Sequence, residues 1–309
     1  LFIPEPGWAV VIDWKDAQPL HSKILTPSGW TTMGELSVGQ QVIGSDGKPT
    51  KVTGVYPKGE RLVYEVEFTD GSKTECCGDH WWTVRRSGRD WQTKRLREII
   101  GDEKKGHGYW QVAAPEPVEF DRQGEQPLDP YLLGVLLGDG HFASEGSVDL
   151  ATADAEIIEA VQETLPDGMT ARHTQRYNWR LAADSRATRN PLRRAITDLG
   201  LMECRAASKF IPPAYLFGSP EERFDMLCGL MDTDGSIDKE GRMSFCSASS
   251  ELAKQVQFLV RSLGGFATFK TWPRAGHYHD TSAVYFRLDR APFRLGRKKS
   301  RWHKPKQGM

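Results

Sequence analysis

No apolar run in these 309 residues approaches the roughly 18 that a membrane-spanning helix needs, which argues against a helical membrane protein. The start, Leu1-Phe2-Ile3-Pro4-Glu5-Pro6, lacks the basic region and long apolar stretch of a signal peptide. Cysteines are few, at 76, 77, 204, 228 and 246. Their odd number, their scatter and the lack of any CxxC pair exclude a disulfide scaffold, give no sign of zinc and suit a reducing cytoplasm. Net charge is lacking as well: 41 Lys and Arg balance 41 Asp and Glu, so composition does not announce a nucleic-acid binder. What is present is enough apolar residue, 39%, for real cores, in a length that fits two domains of about 150 residues each.

The charge is unevenly placed. Arg287 to Lys306 holds nine Lys and Arg against one acid, Asp289, and Arg172 to Arg194 holds seven Arg against Asp184 alone. Such segregation marks a phosphate-binding surface or, equally, a solvated face.

Along the chain, Ala9-Val10-Val11-Ile12 reads as a short buried strand. From Lys23 to Val84, short strands are broken by Pro27-Ser28-Gly29, Ser45-Asp46-Gly47 and Asp70-Gly71, the pattern of an all-β unit. The proline-rich stretch 115–130 reads as a linker. Beyond it the pattern is mixed α and β. Asp129 before Pro130 predicts a capped helix through Leu137, and the capping box Ser219-Pro220-Glu221-Glu222 predicts another through Met231. Both end on Asp-Gly, where glycine is expected to take the left-handed conformation.

These two helices belong to an internal repeat. Residues 132–140, LLGVLLGDG, align with 227–235, LCGLMDTDG, at an offset of 95. The same offset aligns 150–157 with 245–252 and continues to Val161 and Val256. Gly134 and Gly138, with Gly229 and Thr233 in the matching places, give each helix a face of small residues that lets two backbones approach closely. Paired there, the helices bring Asp139 and Asp234 together. Two adjacent carboxylates repel, which favours a divalent cation, and oxygen ligands few in number suit Mg²⁺. Held beside a basic surface, that pair is equipment for phosphodiester hydrolysis.

The two segments resemble the paired motifs of the LAGLIDADG (DOD-type) homing endonucleases over about 130–300. Asp232 and Asp234 both stand in the second copy, whereas Leu137 replaces the first Asp in the other. The resemblance implies an α+β endonuclease with two pseudo-symmetric repeats, about 130–210 and 225–295, paired central helices and an antiparallel DNA-binding saddle. It implies Asp139 and Asp234 as catalytic metal ligands. Ser208-Lys209-Phe210-Ile211-Pro212 is similar to a short block of intein endonucleases, which makes Lys209 a catalytic cation, with Lys270 and Arg287 as weaker candidates for its counterpart. In 172–180, alternation places Arg172, Thr174, Arg176, Asn178 and Arg180 on one strand face, suited to base edges in the major groove. In the second copy Tyr285 and Arg287 alternate with Val284, Phe286 and Leu288; these, with Lys270, complete the expected DNA contacts.

Upstream, 23–30, 33–36 and 38–42 resemble the opening block of an all-β Hint (intein splicing) fold, and 70–84, with Cys76-Cys77-Gly78-Asp79-His80-Trp81-Trp82, resembles its second block. The resemblance implies that His80 hydrogen-bonds the amide of the upstream junction, a task imidazole suits near neutral pH. Cys77 replaces the usual Thr. No Cys or Ser stands at the expected first position, Ala17 or Pro19. One class of inteins begins without a nucleophile and carries a tryptophan two places after the block histidine, as Trp82 is here; the alternative is a core aromatic. The expected organisation is therefore a host-protein remnant at 1–16, a splicing segment with linker at 17–126, the endonuclease at 127–300 and a basic tail at 301–309, cut before the closing splicing blocks. The expected partners are a double-stranded DNA target and a host protein in cis, with a monomeric, cytoplasmic chain and no membrane. The alternative is a degenerate endonuclease that binds DNA without cutting.

Overall fold

The computed structural model describes residues 17–103, 109–142, 147–185, 190–273 and 280–304. The expected host remnant at 1–16 and the last part of the basic tail lie outside them. The chain divides into two compact units: Leu1–Asp121 with Ser262–Gly264 and Pro305–Met309, and Arg122–Arg261 with Gly265–Lys304.

The first unit is built of short antiparallel pairs. β1 (Lys23–Thr26) pairs with β2 (Gly29–Thr32), β3 (Gln41–Ile43) with β4 (Pro49–Lys51), and β5 (Val63–Glu67) with β6 (Lys73–Cys77). β7 (Trp81–Arg85) lies between β8 (Gln92–Arg95) and β9 (Gln111–Val112), and α1 (Leu96–Glu103) follows β8. Its core is small: Cys76, Trp82, Val84, Leu96 and Ile99 form one cluster and Val42 with Val52 another. The expected linker is not free. Val118 is buried, and the amides of Glu116, Glu119 and Asp121 donate to the carbonyls of Ser45, Gly47 and Pro27. This stretch is docked by backbone bonds as far as the unit's edge, which proline content alone does not reveal.

In the second unit, α2 (Pro130–Asp139) is followed by β10 (Gly140–Phe142), β11 (Val148–Ala151), α3 (Ala155–Thr164), β12 (Met169–Gln175), β13 (Asn178–Ala183) and α4 (Pro191–Asp198). After the short α5 (Pro213–Leu216), the order recurs as α6 (Pro220–Thr233), β14 (Gly235–Ile237), β15 (Met243–Ser247), α7 (Ser250–Ser262), β16 (Phe266–Trp272) and β17 (Thr281–Arg287). The four-residue α8 (Gly296–Lys299) ends the described fold. The sheets run β10-β11-β13-β12 and β14-β15-β17-β16, the same order twice.

Both helix starts form as the sequence predicts. The Asp129 side chain accepts the amides of Tyr131 and Leu132, and Ser219 and Glu222 close a capping box. Helices α2 and α6 meet backbone to backbone. A Cβ at Gly134 would run into the Met226 carbonyl oxygen and one at Gly229 into that of Tyr131, so any larger residue forces the helices apart. The terminal glycines have a different reason from the one expected. Gly140 is extended (φ −77°, ψ 147°), not left-handed; a Cβ there would strike the Leu136 carbonyl, as one at Gly235 would strike that of Met231. Space, not backbone sign, fixes glycine at both helix ends.

Candidate active site

Asp139 is the last residue of α2, and Asp234 caps α6. Asp139 is half-buried and Asp234 reaches solvent, yet the surrounding protein desolvates both. Burial pushes the Asp139 carboxyl up, against the pull of Lys209 and Lys298. Burial, and then the charge of Asp139, push Asp234 up to about 6. The charge of Asp139 is thus felt at Asp234, which sets the two carboxylates in one electrostatic neighbourhood.

Lys209 is buried, and its ammonium donates to the carbonyls of Leu136 (3.2 Å), Gly138 (3.0 Å) and Gly140 (2.7 Å). All three of its protons are taken by the carbonyl end of α2, where the helix dipole is negative. The side chain is therefore a fixed positive charge beside the carboxylates; burial lowers it to about 8 while Asp234 and Asp139 pull it back up.

Neither Lys270 nor Arg287 is its counterpart: both are exposed on the second sheet. The residue in that place is Lys298, which sequence reasoning saw only as one of a basic run. Buried, its Nζ donates to the carbonyls of Met231 (2.7 Å), Asp232 (2.8 Å) and Gly235 (2.6 Å) at the end of α6, with that of Thr233 farther off at 3.4 Å. Burial also lowers Lys298 to about 8. Asp232, the second copy's extra acid, is buried and structural: it accepts the Tyr131 hydroxyl (3.0 Å) and the amides of Arg294 (3.1 Å) and Leu295 (3.2 Å).

The basic stretches are more self-paired than their composition suggests. Arg290 bonds Glu221 (2.7 Å), Arg294 bonds Asp225 (3.1 Å) and Arg297 bonds Asp154 (2.7 Å). Arg290, Arg294 and Arg297 thus strap this segment to the domain, while Arg287, Lys299, Arg301 and Lys304 remain exposed. Residues 172–180 are not one strand either: they form the β12–β13 hairpin, with Arg176 and Tyr177 in the turn and Arg176 at φ 49°. The turn removes Arg176 from the ladder. It also brings Arg172 opposite Arg180, on the sheet face away from the buried Leu181. Asn178 lies beside them on that face, and Arg180 is also held by Asp149 (3.2 Å). In the second sheet Lys270, Tyr285 and Arg287 share the face opposite buried Phe286 and Val284, with Trp272 edge-on to Tyr285.

In the first unit, His80 is buried with its ring 5.5 Å from that of Trp82, edge-on. The Cys77 amide donates to the Ala17 carbonyl at 2.9 Å, and the His80 amide to the Cys77 carbonyl at 3.1 Å. Asp79 is bonded to Arg97 (2.7 Å). The indole nitrogen of buried Trp82 has no hydrogen-bond partner among the described residues.

With this geometry, the chain matches the model of the LAGLIDADG-like domain over residues 221–291. It is 30% identical over 323 aligned positions to a replicative DNA helicase DnaB of Mycobacterium intracellulare, an overlap that takes in 95% of the chain and 50% of the relative. The chain thus spans about half the length of that curated relative. Among solved structures it is similar to the MchDnaB-1 intein (34% identity, 26% of this chain and 73% of that one, TM-score 0.22). It is also similar to mesophilic variants of the homing endonuclease I-DmoI (15% identity, 52% and 89%, TM-score 0.37). Among the described residues no helix is long and apolar enough to cross a membrane.

Proposed function

We propose that the chain is an intein-type sequence whose LAGLIDADG-like domain hydrolyses both strands of a specific DNA duplex. The observation that carries this reading is the duplicated Asp–Lys arrangement: Asp139 with Lys209 at the end of α2, and Asp234 with Lys298 at the end of α6. A duplex has two strands to cut, and the domain offers two equivalent sets of groups related by a pseudo-two-fold repeat, so a monomer suffices.

The donor set fits Mg²⁺. Two carboxylates supply hard oxygens and, being only two, leave positions for water and phosphate oxygens. When bound, such an ion makes phosphate more electrophilic and water more acidic. Asp139 and Asp234 would hold it. Lys209 and Lys298, their protons committed to carbonyls, oppose the negative charge that builds on the phosphate oxygens, as fixed preorganised charges do. The outward faces bearing Arg172, Asn178 and Arg180, and Lys270, Tyr285 and Arg287, would lie along the duplex as a saddle. Both carboxylates and both ammonium groups being in place favours cutting over binding alone. The first unit we assign as the splicing half, working on a host protein in cis: the Cys77–Ala17 bond supports Ala17 over Pro19 as the upstream junction. The test is to incubate the purified chain with a plasmid library of randomised sites and Mg²⁺ and to sequence the ends. Defined double-strand ends are expected; retarded but uncut DNA contradicts the reading.

A further inference from the structure

The two lysines are held in unlike ways, each by the opposite repeat. The backbone carbonyl of Lys209 accepts the hydroxyl of Ser249 (2.7 Å), and the next turn is bonded through Ile211 to Gln255. These partners are neutral. Lys298 follows Arg297, whose guanidinium grips Asp154 with two bonds, Nε to Oδ1 at 3.0 Å and an Nη nitrogen to Oδ2 at 2.7 Å. Asp154 lies 95 residues before Ser249, at the matching place ahead of α3. The Gly296 amide adds a bond to Glu156 (2.8 Å).

Resting on the proposed cleavage of both strands, we propose that the Arg297–Asp154 pair is a positioning device for Lys298, which sets the rate of cutting one DNA strand and leaves the other strand to Lys209. The warrant is geometric. α8 is only four residues long, so it cannot fix its own orientation. Arg297 and Lys298 leave it in different directions, one to the first repeat and one to the end of α6. Releasing Arg297 frees the segment between the anchors at Leu295 and Lys298, and a displacement of about 1 Å at an active centre costs on the order of a hundredfold in rate. Nothing in the Lys209 segment bonds to Arg297 or Asp154 among the described residues.

The test is single-turnover cleavage with each strand labelled separately, in wild type, Arg297→Ala, Asp154→Ala and the double variant. Both side chains of the pair reach solvent, so the variants keep the fold, checked by thermal melting. The expected result is slowing of one strand, the same one in all three variants, by up to about a hundredfold. DNA affinity stays unchanged, nicked product accumulates, and the double variant is no slower than either single. Arg297→Lys, which keeps charge but loses the two-pronged grip, falls between. Equal slowing of both strands, or additive effects in the double variant, overturns the proposal. So does weaker DNA binding on Arg297→Ala with no slowing on Asp154→Ala, which would make Arg297 a phosphate contact. If wild type cuts neither strand, the cleavage reading itself fails.

Discussion

Lys209 and Lys298 do the same work at two helix ends: the Nζ of Lys209 reaches the Gly140 carbonyl at 2.7 Å, and that of Lys298 reaches the Gly235 carbonyl at 2.6 Å. Each glycine sits immediately after a site carboxylate and admits no side chain. The relationship ties the fold to the site, because the group that neutralises the carboxylates is also the cap of the helix that carries one of them.

Lys298→Met should therefore lower stability as well as activity. It leaves the carbonyl end of α6 without its donors, at a cost of about 2 kcal/mol after the relief of burying an ammonium. Urea denaturation followed by circular dichroism measures this. An unchanged midpoint would show that water replaces the lysine freely.

Gly134→Ala tests the helix pairing. The added methyl meets the Met226 carbonyl oxygen, which is backbone and cannot swing aside. Overpacking of this kind costs about 1–3 kcal/mol. The melting temperature of Gly134→Ala should fall clearly below wild type. A neutral result would mean that α2 and α6 are not in contact at Gly134 and Gly229.

Protonation gives a third expectation. The Asp234 carboxyl rises from 3.8 to about 6 on folding, through burial and then Asp139. A folded value above the unfolded one favours folding fully below pH of about 4 and loses that favour as pH climbs through 6. At pH 7.5 the ionised pair opposes folding, and a bound cation offsets it. Mg²⁺ should then raise the melting temperature by about 2–4 °C at pH 7.5 and far less at pH 5, with Asp234→Asn removing most of the gain. Equal shifts at both pH values would exclude the carboxylates as the ligands.

Much of this was legible in the chain. The caps at Asp129 and Ser219, the 95-residue repeat and the small-residue helix faces are local or periodic features, and the structure bears them out. Lys298 was not legible, because its partners are carbonyls of residues 231–235 and its own context, Gly296-Arg297-Lys298-Lys299, reads as a solvated tail. The acids that pair Arg290, Arg294 and Arg297 stand on other elements, so a count within the run overstates its free charge. The hairpin at Arg176-Tyr177 was hidden because neither residue carries a turn signal; the backbone adopts a positive φ there without glycine.

The splicing half makes its own prediction. Ala17 offers no thiol or hydroxyl to attack the carbonyl before it, and Pro19 offers none either. The purified chain should keep its intact mass in excess dithiothreitol. Cleavage between Asp16 and Ser22 would reveal an internal nucleophile, with Cys77 first, since its amide already meets the Ala17 carbonyl.

If Asp139 and Asp234 are the working carboxylates, neither can lose its charge without loss of cutting. Asp139→Asn and Asp234→Asn each remove one charge and almost no volume, so the most direct measurement is plasmid cleavage in Mg²⁺ beside DNA binding of the same preparations. Each variant should bind the target duplex with wild-type affinity within about threefold and lose double-strand cleavage by at least about a hundredfold. A variant that cuts its site at the wild-type rate would contradict the assignment.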